Sequence, residues 1–147
     1  MAKNRIHAKG DYRQEEALAG GTVTPGMLIE LNGSAAVIAH NSEGAVAERA
    51  FAAEDALQGA VVGTDYDSAD LVTYILPVKG ACVNALLKAG YSYDEGDILI
   101  SGGDGTLIQA SEISSGGTVY DNIAVCTEAL DLSASGAVNT LSEVRIL

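Results

Sequence analysis

From residue 21 onward the chain alternates short apolar runs with glycine-centred breaks. The runs are Met27–Leu31, Ala35–Ala39, Val46–Ala52, Leu71–Val78, Ile98–Ser101, Thr106–Ala110, Val119–Leu130 and Ser142–Leu147. The breaks fall at Pro25-Gly26, Asn32-Gly33, Glu43-Gly44, Gly63, Gly80, Gly90, Gly96, Gly102–Gly105, Gly116-Gly117 and Gly136. Strand-like runs between closely spaced turn signals predict an all-β fold with a compact barrel- or sandwich-like body. The sharpest local signal is a hairpin, ILIS then GGDG then TLIQA, in which Asp104-Gly105 suits a tight turn that needs positive φ. Helix is expected only around Glu54–Gln58 and Asn84–Ala89. The second of these reads equally as a strand, because a short apolar run does not separate the two periods.

Residues 1–20 lack such a pattern. They are polar and end at Gly20-Gly21, which reads as a hinge. The expectation is an extended basic N-terminal arm over residues 1–20 and a β-rich body over 21–147, with a turn or two of helix allowed at Arg13–Ala19. Extended, such an arm spans on the order of 60 Å.

A chain of 147 residues is the size of one domain and can bury a core without staples. Its apolar residues are mostly Ala, Val, Ile and Leu, with one Phe, no Trp and 17 Gly, a make-up suited to thin, tightly packed sheets. Charge divides the chain. Lys3, Arg5, Lys9 and Arg13 carry half of all the positive charge, whereas from Gln14 onward four basic residues face 19 acidic ones, a net −15. An acidic body is a poor partner for phosphate, so direct nucleic-acid binding is not expected. The charged start has no apolar core of a secretory signal, and no run is long enough to span a membrane. Cys82 and Cys126 stand in apolar stretches without a CxxC motif and read as small buried hydrophobes.

The candidate chemistry is sparse. A nucleophilic triad needs a base, and only His7 and His40 are available, neither beside a nucleophile motif. Asp65, Asp67 and Asp70, and likewise Asp94, Glu95 and Asp97, form acidic clusters that could hold a hard cation, although neither has EF-hand spacing. Solvated acidic turns explain both, and no metal or cofactor is expected. SGGDGT lacks the lysine of a phosphate loop and lies between strand-like flanks. An enzyme is not expected.

Five segments in order resemble the head decoration (cement) proteins of tailed bacteriophages. They are AKNRIHAKGDYRQEEALA, TPGMLIELN, AERAFAAEDALQG, GDILISGGDGTLIQA and NIAVCTEALDLS with the terminal SEVRIL. The resemblance implies a β-barrel-like body, often trimeric, made in the host cytoplasm and seated on the outer capsid surface, where it stabilises the shell. Its partners would be the major capsid protein and copies of itself. Carried onto this chain, Lys3, Arg5, Lys9 and Arg13 would dock on capsid or neighbour surfaces. A different class of protein, a virion-surface β-sandwich binding host glycan or protein, would present aromatics such as Tyr91 and Tyr93 on one face. A weaker third option is a hydrolase using the acidic clusters around Asp65 or Asp97 at a trimer interface.

Overall fold

The computed structural model describes residues 3–112 and 119–147. The Gly116-Gly117 break lies outside them. Among the described residues the fold is all-β, with thirteen strands and two single 3-10 turns at Ala56–Gln58 and Ala110–Glu112.

Its centre is a closed five-stranded barrel built from β7 (Cys82–Leu87), β9 (Ile98–Ser101), β10 (Leu107–Gln109), β11 (Ala124–Cys126) and β13 (Thr140–Ile146). The order is β7-β10-β9-β11-β13, and β13 pairs back onto β7 to close the ring. Closure leaves no free sheet edge in the ring. The expected hairpin is present, with Leu107 opposite Ser101 and Gln109 opposite Leu99. Gly105 turns it at φ +82 and docks closely, because a Cβ there would meet Met27 Cγ at 2.9 Å.

β7 is the strand on which the rest is hung. All six of its residues are buried. One edge runs the full length of β13, from Thr140 opposite Leu87 to Arg145 opposite Cys82. On the other edge, successive outward amides bind three different segments. Asn84 N–H donates to the Ile6 carbonyl at 2.7 Å, Leu86 N–H to Gly26 at 2.9 Å, and Lys88 N–H to Leu107 at 3.0 Å. This segment is therefore strand rather than the alternative helix over 84–89. Burial on both faces gave it a mostly apolar run, broken only by Asn84, with no visible period of two.

The N-terminal residues depart furthest from expectation. The described residues from 6 to 20 are not a free arm: they are tied into the body by strand pairing and buried contacts. β1 (His7–Lys9) pairs antiparallel with β7, and β2 (Tyr12–Leu18) pairs antiparallel with β6 (Leu71–Pro77) through seven residue pairs. Ile6 is fully buried in the barrel core with Leu28, Phe51, Ile75 and Val83. Gly10 makes the corner between β1 and β2 at φ +87, pressed so close to Ala81 that a Cβ would lie 2.9 Å from that methyl. YRQEEAL has the composition of a solvated helix; it becomes a strand because β6 supplies the ladder.

β6 also pairs with β5 (Phe51–Ala52), giving a three-stranded sheet β2-β6-β5 between two cores. Phe51 and Ile75 face the barrel core, while Ala52, Val72 and Tyr74 face a second core with Val23, Ile29, Val37 and Tyr66. The hairpin β3 (Ile29–Leu31) with β4 (Val37–Ala39) covers that second core, and β8 (Ser92–Tyr93) pairs with β12 (Leu130–Asp131) beside the barrel.

Two outcomes check this arrangement. Ile6→Ala should cost about 3 kcal/mol in urea unfolding, since it removes buried methyl groups from a closed core. Deleting residues 1–20 should abolish cooperative thermal unfolding; a truncated chain with an unchanged midpoint would restore the free-arm picture.

Candidate functional site

The four N-terminal cations lie on fixed chain, and three are already paired. Lys3 Nζ is 2.8 Å from Glu128 Oε1, Lys9 Nζ is 3.2 Å from Glu143 Oε1, and Arg13 pairs with Glu15. The side chains of Lys9 and Arg13 remain 71% and 76% exposed, so these two pairs are readily exchanged for outside partners. The ammonium of Lys3 and then the Glu143 amide hold the Glu128 carboxyl below its usual range.

Arg5 belongs instead to a trough along one face of the β2-β6 pair. The even-numbered side chains Tyr12, Gln14 and Glu16 line one wall, Thr73 lies on the floor, and the segment from Ala53 to Gln58 makes the other wall. The Arg5 end is a recess of about 150 Å³. There the His7 and Tyr12 rings stand 4.4 Å apart, and His7 Nε2 lies 2.7 Å from the Gly10 carbonyl oxygen. The other end, about 380 Å³, carries Glu16, Asp55, Asp70, Leu57 and Leu71 and opens to solvent. The first recess is smaller than the roughly 300–1,000 Å³ of small-molecule sites, and the second is broad and acidic.

One constellation looks catalytic at first sight. His40 Nδ1 lies 2.6 Å from Ser101 Oγ, and His40 Nε2 lies 3.6 Å from Glu30 Oε2, a Ser–His–carboxylate sequence. Ser101 is 0% exposed and His40 2% exposed, so substrate has no approach. Ser101 Oγ also accepts from the Gly103 amide at 3.2 Å, and the His40 ring reaches the Val46 carbonyl at 3.4 Å. The pair braces the base of the β9–β10 hairpin against β4. Sixty-one residues separate the two, and no spacing motif announced the contact.

The acidic clusters cap their own turns. Asp67 N–H donates to Asp70 Oδ2 at 2.8 Å, and Asp94 N–H donates to Asp97 Oδ2 at 2.8 Å. Among the described residues no three His, Cys, Asp or Glu side chains converge to hold a metal, so Asp65, Asp67 and Asp70 are not brought together. Tyr93 is buried, its hydroxyl donating to the Lys88 carbonyl at 2.7 Å, and Tyr91 packs half-buried against the same core. They are a barrel seam, not an exposed aromatic platform. Both cysteines are free and buried, and burial pushes the Cys126 thiol up to about 12. Among the described residues no helix is long and apolar enough to cross a membrane.

The strongest polar junction is Arg49 with Asp121. Arg49 Nη1 meets Asp121 Oδ2 at 2.5 Å and Nη2 meets Oδ1 at 2.9 Å, while the Ala47 amide donates to Oδ2 at 3.0 Å. The guanidinium first, and then the amide, hold the Asp121 carboxyl below its usual range.

No protein-family model matches the chain, and no curated protein matches it in sequence. In fold it is similar to the head fiber gp8.5 N base of bacteriophage phi29, at 17% identity and a TM-score of 0.57. The likeness covers 93% of this chain and 95% of that one, so it extends over nearly the full length of both.

Asp121 sets an acid dependence. Its folded pKa is depressed, so its stabilisation is present above the unfolded carboxylate value and is lost as pH falls through the folded one. Asp121→Asn should cost about 2 kcal/mol at neutral pH. The gap from wild type should close as pH falls below about 4. Parallel stability curves down to acid would contradict this assignment.

Proposed function

We propose that this protein is a structural component of a phage virion, seated on the outer surface of a tailed-phage capsid and bound to its major capsid subunits. The observation that carries the reading is the end-to-end fold likeness to a phage head fiber base. The resemblance of five ordered sequence segments to capsid decoration proteins is compatible with this reading. The physical character of the molecule supports it. A closed barrel with an ion-paired surface and a sealed Ser–His pair offers rigidity rather than a reaction centre.

In this reading the basic residues act from fixed strands and not from a free arm. Lys9 and Arg13 can exchange their own carboxylates for those of the shell at little net cost, because exposed ion pairs contribute only about 0–1 kcal/mol. Weak contacts suffice when the same protein repeats over a symmetric lattice. The role is to clamp neighbouring capsid subunits, without catalysis.

The test is co-sedimentation with purified undecorated capsids of the phage that encodes the protein. Saturable pelleting is expected. An Arg5→Glu/Lys9→Glu double variant should bind about tenfold more weakly at low salt, a difference that shrinks as salt screens the contacts. Protein that stays in the supernatant at every concentration would overturn the proposal.

A further inference from the structure

The three-stranded sheet has a free edge, and the sequence on it is self-complementary. Register fixes which way each β2 peptide points. The Val78 amide donates to Asp11 at 3.0 Å and the Ala19 amide donates to Asp70 at 2.7 Å. Alternation then turns the backbone groups of residues 11, 13, 15, 17 and 19 towards β6. Those of Tyr12, Gln14 and Glu16 point the other way. At the end of β2, β4 already occupies that side, through the Ala19–Val37 bridge and the Gly20 amide donating to Val37 at 2.8 Å. Among the described residues β6 is the one strand paired with the stretch from Tyr12 to Glu16, and no strand pairs with its outward edge.

We propose that this stretch pairs with the same stretch of a second copy, antiparallel about a two-fold axis at Gln14. In that register Tyr12 and Glu16 of opposite copies exchange backbone hydrogen bonds, and so do the two Gln14 residues. Arg13 of each copy lands opposite Glu15 of the other in the closer, non-hydrogen-bonded positions. Shifting the axis by one residue would set Arg13 against Arg13 or Glu15 against Glu15, so charge selects the register. The carboxylate is held ready, since Tyr74 donates to Glu15 Oε2 at 2.9 Å from the neighbouring strand. Pairing joins two β5-β6-β2 sheets into one of six strands. A net charge of −12 per chain opposes indiscriminate association and leaves this short matched edge as the point of contact. The contact is independent of capsid binding.

Light scattering and sedimentation velocity over a concentration series test it. The expected particle has twice the 15.0 kDa chain mass. Gln14→Pro removes an amide that faces away from β6, so it should give a folded, cooperatively unfolding monomer. Arg13→Glu and Glu15→Arg should each give monomers, and the Arg13→Glu/Glu15→Arg double variant should recover the dimer. The charge variants decide the matter if Gln14→Pro fails to fold. A monomer persisting to about 1 mM would overturn the proposal. So would a dimer or trimer that survives the single charge reversals, or a swapped pair that fails to rescue.

Discussion

Everything in this fold is arranged around the hydrogen-bonding demand of one buried strand. β7 lies inside the protein on both faces, so each of its amides must find a partner or incur the full cost of burial. β13 satisfies one edge. The other is satisfied piecemeal, by Ile6 near the start of the chain, by Gly26 at the turn before β3, and by Leu107 in the hairpin. Three segments distant in sequence are thereby fixed to one rod. Because one of them is the N-terminal segment, residues that look like a tail become part of the wall.

That integration also settles where the charge goes. The basic start of the chain is laid across an acidic body, and Lys3 and Lys9 meet carboxylates from Glu128 and Glu143 near its other end. These partly exposed pairs contribute modestly to stability one by one. Their effect is to tie the two ends of the chain together around β7 and to leave exchangeable charges on the surface. The partly buried junction of Arg49 with Asp121 is different in kind, because its carboxylate takes a bidentate guanidinium and a backbone amide.

The parts of the fold legible in the sequence were those decided locally. The β9–β10 hairpin could be read because a Gly-rich turn between two apolar runs has few alternatives, and β6, β9 and β13 stand within a residue or two of their apolar runs. β7 was ambiguous because burial on both faces erases the alternation that marks a strand. β1 and β2 were missed outright: HAK is too short to carry a pattern, and YRQEEAL owes its extended form to β6. The same limit applies to the site. The basic residues stood out, but their ion pairs span up to 134 residues, and the His40–Ser101 contact and the free β2 edge exist only after folding.

Amide hydrogen exchange across residues 6–18 in dilute solution tests most directly whether the N-terminal segment is built into the body. The amides of Arg13, Glu15 and Ala17, which face β6, should be protected to the same order as those of β7, while those of Tyr12, Gln14 and Glu16 exchange fast. Uniformly fast exchange across the whole segment would contradict the account and return these residues to a free arm.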